Sequence, residues 1–87
     1  MSDIERMAEL ADMPTDEFMH SRKIPAPSLR CLMWRDMFKS GMKHKQIGAI
    51  FGKDRTTVIA GIKRVPNITR PNGYGKVLDI YEKYISL

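Results

Sequence analysis

The chain has 87 residues and a formal net charge of +5, a size that suits one small domain. Its single cysteine, Cys31, excludes an internal disulfide framework. No apolar run approaches the roughly 18 residues of a membrane span, and the acidic N-terminus lacks the features of a signal peptide. We therefore expect one cytoplasmic domain over residues 1–87, with no membrane partner.

The charge is distributed unevenly along the chain. Residues 1–19 contain one basic and six acidic residues, for a net charge of −5, and residues 77–87 have a net charge of −1. Residues 20–76 contain thirteen basic and two acidic residues, for a net charge of +11. This excess favours a surface that binds a polyanion such as a nucleic acid.

Apolar residues recur at helical spacing and no alternation with period 2 persists, which predicts an all-α bundle of five to six helices. Ser2 and Glu5 fit a capping box at the start of the first helix. Thr15 is expected to cap a short second helix, and Ser28 a longer one that runs to about Ser40. The inward-facing residues of the longer helix are expected to be Leu29, Leu32, Met33 and Phe38, with Trp34 or Met37.

Two short helices follow. The first covers about Lys43–Phe51, and its expected inward residues are Ile47, Ile50 and Phe51. Gly52 breaks it, and Asp54 is expected to cap the next helix, over about residues 55–65. The apolar positions of that helix are Val58, Ile59, Ile62 and Val65. After a segment dense in turn formers, the last helix covers about residues 76–86.

Two short helices with a glycine-marked turn between them describe a helix-turn-helix. In such a unit the second helix enters the major groove of DNA, and residues near its N-terminus contact the bases. Arginine can bind guanine through two hydrogen bonds, aspartate can accept from cytosine, and threonine can contact a thymine methyl group or a phosphate. The second helix begins with these residue types, in the order Lys53, Asp54, Arg55, Thr56 and Thr57.

The stretch from Gln46 to Val58 resembles a signature of the C-terminal DNA-binding domain of DnaA, the bacterial replication initiator. That signature runs Ile-Gly-x-x-Phe-Gly-Gly-Arg-Asp-His-Thr-Thr-Val. The family fold is a helical bundle around a helix-turn-helix, similar to that of the Trp repressor. The resemblance extends more weakly over most of the chain, and it agrees with the fold that the helical periodicity predicts.

The resemblance implies a role for each matching position. The residues that would contact bases in the major groove are Asp54, Arg55 and Thr56. Those expected to contact backbone phosphates are Lys43, Lys45, Lys53 and Thr57. The family's basic loop inserts an arginine into the minor groove, and the basic residues of the corresponding region are Arg22, Lys23 and Arg30.

The sequence also departs from the family pattern. Gly52 stands alone where the family has two glycines, and Arg55 replaces the family histidine. The sequence contains no phosphate-binding loop of an ATPase, so we expect a binding module without the motor. The expected function is sequence-specific binding of double-stranded DNA in a replication-linked or regulatory role, with a replication or regulatory protein as a further partner.

Two alternatives stay open. The bundle would be a protein-interaction module if its acidic N-terminal helix or a methionine-rich surface bound another protein. RNA binding is the other, although the basic residues lack an aromatic stacking surface. No catalytic or metal-ligand pattern is present, so we expect no enzyme activity, cofactor or metal. Cys31 and Trp34 are expected in the core, and Lys63 and Arg64 at the C-terminal dipole of their own helix.

Overall fold

The computed structural model describes residues 2–86, which form six α-helices and no β-strand. The helices are α1 (Asp3–Leu10), α2 (Thr15–His20), α3 (Ala26–Lys39), α4 (His44–Phe51), α5 (Arg55–Arg64) and α6 (Gly75–Ile85). Between α5 and α6 the chain forms a 3-10 turn over Val65–Asn67 and a wider turn over Arg70–Tyr74. The predicted all-α bundle is confirmed. Within residues 2–86, no helix combines the length and apolar character that crossing a membrane requires.

The first helix begins where the sequence predicts. Ser2 Oγ accepts a hydrogen bond from the Glu5 backbone N–H at 3.1 Å, and Glu5 Oε1 accepts one from the Ser2 backbone N–H at 3.0 Å. The capping box is therefore confirmed. The prediction that Thr15 caps the second helix is wrong, because Thr15 is the first residue of α2 and Pro14 occupies the position before it.

The predicted start of α3 is also wrong. The helix begins at Ala26, two residues before Ser28, and Ser28 is buried inside it. Pro27 fits the first turn because backbone N–H groups there have no partner within the helix, and because proline's fixed φ is already helical. The cap expected at Ser28 would have placed this proline outside the helix.

α3 is the central helix of the bundle and contacts α2, α4, α5 and α6. The buried residues of its first half are Ala26, Ser28, Leu29, Arg30, Cys31, Leu32, Met33 and Trp34. The core positions predicted for Cys31 and Trp34 are therefore confirmed. The prediction that Phe38 faces inward is wrong, since it is 45% exposed near the C-terminal end of α3, where its ring stacks on His44 at a centroid distance of 4.3 Å.

The short helix α4 buries one narrow face, which consists of Ile47, Gly48 and Phe51. The predicted inward positions of Ile47 and Phe51 are confirmed. Ile50 was also expected inward, but it is 45% exposed because it lies outside that face. The buried residues of α4 therefore span little more than one helical turn.

α3 lies between two pairs of helices, α1 with α6 and α4 with α5. The first pair contains five acidic and three basic residues, whereas α4 and α5 contain four lysines and arginines and no acid. The fold thus separates a helix pair with excess acid from a helix pair that is purely basic.

Tyr81 connects α6 to α3. Its hydroxyl donates a hydrogen bond to Asp36 Oδ2 at 2.6 Å and accepts one from Arg35 Nη2 at 2.9 Å.

α5 approaches α3 closely because Gly61 has no side chain. A Cβ atom at this position would lie 2.5 Å from Cζ3 and 2.6 Å from Cε3 of Trp34. The Trp34 ring is itself held edge-to-face against Phe51 of α4, with centroids 5.7 Å apart. One aromatic ring therefore sets the spacing of α3, α4 and α5.

Replacement of Gly61 by alanine tests this contact. Gly61→Ala should lower the free energy of unfolding by about 1–3 kcal/mol, because overpacking against Trp34 outweighs alanine's better helix propensity. Gly75→Ala is the matched control, since a Cβ there would lie 3.8 Å from its nearest neighbour, Arg70 Nη1. The control should be neutral or stabilising by less than about 1 kcal/mol in urea denaturation. Equal effects of the two substitutions would contradict the proposed role of Gly61.

Candidate nucleic-acid interface

The turn between α4 and α5 is only three residues long, from Gly52 to Asp54. Gly52 has φ +66°, a left-handed conformation that ends α4, so the predicted helix break at this residue is confirmed. The Lys53 backbone N–H donates to the Gly48 carbonyl at 2.8 Å. A Cβ atom on Gly48 would collide with the Lys53 carbonyl oxygen, so this turn needs glycine at both positions. The two helices form a tight helix-turn-helix.

Asp54 caps α5, as the sequence predicts. Its Oδ1 atom accepts a hydrogen bond from the Thr57 backbone N–H at 2.8 Å. That bond holds the pKa of Asp54 below its usual range, so the carboxylate stays charged at neutral pH. The Thr57 side chain lowers this pKa further. Asp54 is exposed, so its carboxylate remains accessible at the start of α5.

The first turn of α5 presents polar side chains to solvent. Arg55, Thr56 and Thr57 are exposed, whereas Val58 directly after them is completely buried. Ile59 and Ile62 of the same helix are half-buried, and Val65, directly after its end, is buried. The structure thus places the predicted base-contact residues together at an accessible helix end whose rear face is anchored in the core.

The predicted phosphate-contact residues fall into two groups. Lys53, half-buried, and Thr57 lie at the start of α5. Lys43 and Lys45 are exposed at the opposite end of α4, a helix of about 12 Å by the standard rise per residue. Gln46 Oε1 accepts from the Lys43 backbone N–H at 2.9 Å and so closes the first turn of α4. The pair Lys43 and Lys45 at the start of α4 therefore occupies a different part of the surface from Lys53 and Thr57 at the start of α5.

The predicted basic loop is only partly present. Arg22 and Lys23 are exposed between α2 and α3, but Arg30 lies in α3 and is 6% exposed. Arg30 Nη1 donates to the carbonyl oxygens of Phe18 at 2.7 Å and Ser21 at 2.9 Å. The expectation that Arg30 belongs to an accessible loop is wrong, because these carbonyls at the end of α2 draw its guanidinium inward. Burial lowers the pKa of Arg30.

Most of the positive charge between residues 20 and 76 is free of internal partners. Of the thirteen basic residues, Arg30 binds backbone carbonyls, Arg35 pairs with Asp36, and Arg70 pairs with two acids of α6. Among residues 2–86, the other ten have no carboxylate within 4.0 Å and are exposed or half-buried. They are Arg22, Lys23, Lys39, Lys43, Lys45, Lys53, Arg55, Lys63, Arg64 and Lys76.

Sequence reasoning missed the importance of two glycines. Gly48 and Gly61 lie inside helices, where glycine lowers helix stability by about 1 kcal/mol relative to alanine. A glycine that persists in a helical pattern signals a close packing contact, and the structure shows such a contact at each position. That signal was present in the sequence, but the partner atoms belong to the tertiary fold.

By geometry, the chain is a small helical domain that presents an exposed helix-turn-helix. Comparison with protein-family models, with curated proteins and with solved structures found no match in any of the three.

The acid sensitivity of the α5 cap is testable. The pKa of Asp54 is lower in the folded protein than in the unfolded chain. The cap therefore adds stability above the unfolded pKa, and this stability is lost as the pH falls through the folded pKa. The asparagine of Asp54→Asn retains a capping oxygen but does not titrate. The Tm of this variant should therefore fall less between neutral and acid pH than the Tm of the wild-type protein.

The control for this experiment is Glu17→Gln, which removes an exposed acid that accepts no side-chain hydrogen bond within residues 2–86. Its Tm should follow the wild-type pH profile. Circular dichroism melts over a pH series provide the measurement. The same acid-dependent decrease of Tm in wild type and Asp54→Asn would show that the cap contributes nothing to the pH dependence.

Proposed function

We propose that the protein binds double-stranded DNA sequence-specifically, with α5 lying in the major groove. The observation that carries this proposal is the first turn of α5, where Arg55 and Thr56 face solvent beside the capping Asp54. The major groove is about 12 Å wide and admits an α-helix. A recognition helix needs free polar side chains at its start and a buried rear face, and α5 has both.

Each side chain of this turn suits a particular contact. The Arg55 guanidinium has no internal partner within the described chain and can donate two hydrogen bonds to guanine O6 and N7. The exposed carboxylate of Asp54 can accept from the amino group of cytosine. Thr56 offers a methyl group for thymine and a hydroxyl for a base edge or a phosphate. These contacts give the proposed sequence specificity.

The unpaired cations supply the proposed affinity. Lys53 and Thr57 flank the base-reading residues, and Lys43 and Lys45 extend the contact to the start of α4. Each phosphate that a lysine or arginine neutralises releases a bound counterion, so the binding constant falls steeply with salt. Arg22 and Lys23 add two further exposed charges between α2 and α3.

The resemblance of Gln46–Val58 to the DnaA signature supports a replication-linked or regulatory role. In such a role the protein would act in the cytoplasm, where bacterial or phage DNA lies, and a replication or regulatory protein would be a second partner. The domain would select the DNA site, and the partner would supply the downstream activity.

A protein-interaction module is the second candidate, because α1 exposes Asp3, Glu5 and Glu9 on one short helix. The methionines give no further support to an interaction module, because none of those described is fully exposed. The methionines within residues 2–86 are buried or half-buried, and they are Met7, Met13, Met19, Met33, Met37 and Met42. Met1 lies outside the described residues.

Arg55→Ala tests base reading. Against a duplex selected from a random pool, the variant should lose about 1–3 kcal/mol of binding free energy and tolerate changes at one base pair. Its affinity for unrelated duplexes should change little. Fluorescence anisotropy with labelled duplexes measures both quantities. An equal loss on every duplex would make Arg55 a phosphate contact instead.

Lys45→Ala tests the electrostatic contribution to DNA binding. It should weaken binding to all duplexes alike and reduce the slope of log K against log salt by about 0.9. Lys83→Ala is the control, because Lys83 lies in α6 beside Asp79 and Glu82, away from α4 and α5. If the wild-type protein binds no duplex even at low ionic strength, the proposal of DNA binding is wrong. The protein-interaction module then becomes the leading candidate.

A further inference from the structure

A cleft of about 230 Å³ lies between the N-terminal half of α3 and α5. Its lining includes four polar or charged side chains and no acidic residue. The four are Arg30, Lys53, Thr57 and Arg64. Arg64, which was expected only at the C-terminal dipole of its own helix, therefore also faces this cleft.

The charge in this cleft is uncompensated. Arg30 is 6% exposed, and its Nε atom is buried without a hydrogen-bond partner within residues 2–86. Neither Arg64 nor Lys53 has a carboxylate within 4.0 Å in the same part of the chain. Three positive charges therefore line one small cleft with no carboxylate beside them in the described part of the chain, and the buried Nε–H of Arg30 lacks an acceptor. An anion in the cleft would supply a counter-charge and an acceptor.

The two arginines of the cleft come from different helices, Arg30 from α3 and Arg64 from α5. Both line the cleft together with Cys31, and their positive charges oppose the rise that burial causes in the pKa of the Cys31 thiol.

The cleft continues toward the segment between α2 and α3. A neighbouring cavity of about 300 Å³ shares Pro27, Cys31 and Arg64 with the cleft and adds Arg22 to its lining. Arg64 lies at the junction of the two cavities. A row of cations thus runs from Lys53 at the start of α5 past Arg64 to Arg22.

We propose that this cleft binds a phosphate group, with Arg64 as its accessible anchor and Arg30, Lys53 and Thr57 as further donors. Guanidinium groups present paired N–H donors that match phosphate oxygens. The phosphate has two possible sources, the backbone of DNA or a free phosphoanion. The first source rests on the function proposed above, and the second does not.

Trp34 provides a direct probe, because it is the only tryptophan and lines the cleft. Titration of the protein with inorganic phosphate should change its fluorescence saturably, whereas sodium chloride at equal ionic strength should not. Arg64→Gln should weaken phosphate binding about tenfold or more, which is the loss expected for a charged hydrogen bond. Lys63→Gln is the matched control, an exposed cation one residue away that does not line the cleft.

A second experiment, duplex binding by the same variants at several salt concentrations, identifies the source of the phosphate. If the DNA backbone supplies it, Arg64→Gln should lower the slope of log K against log salt for duplex binding by about 0.9, and Lys63→Gln should not. If phosphate binds in the Arg64-dependent way but no duplex binds, a free phosphoanion is the ligand and the DNA proposal fails. If duplexes bind but phosphate acts like chloride, or Arg64→Gln behaves like Lys63→Gln, the phosphate cleft is wrong while DNA binding stands.

Discussion

The position of α5 depends on two contacts that leave no room for a side chain. At Gly61 the helix backbone lies against the Trp34 ring, and at Gly48 the backbone of α4 lies against the Lys53 carbonyl. The first contact fixes the distance from α5 to α3, and the second fixes the turn from which α5 emerges. Because protein cores are closely packed, a small added volume at either point moves the helix rather than being absorbed. The accessible start of α5 is a consequence of both.

The charge arrangement follows from the same architecture. α3 separates the α1–α6 pair, which has excess acid, from the α4–α5 pair, which has none. Arg70 is neutralised by Asp79 and Glu82 on the first pair. The cations near α4 and α5 have no such partners within residues 2–86, so the net charge of +5 understates the positive charge available to a polyanion.

The sequence predicted best the features that depend on neighbouring residues. The capping box at Ser2, the cap at Asp54 and the end of α4 at Gly52 are local and were confirmed. The predictions failed where tertiary contacts decide the outcome. The burial of Arg30 depends on two carbonyls at the end of α2, and the exposure of Phe38 depends on where the core ends. The α3–α5 cleft joins residues far apart in the chain, so no local pattern reveals it.

The central claim is that α5 meets DNA with its N-terminal turn. Titration of isotopically labelled protein with a duplex selected from a random pool, followed by NMR of the backbone amides, tests it most directly. If α5 enters the major groove in this way, the largest shift changes will fall on Lys53–Thr57, with smaller ones at Lys43 and Lys45. Shift changes concentrated on α1 and α6, with the start of α5 unaffected, would contradict it.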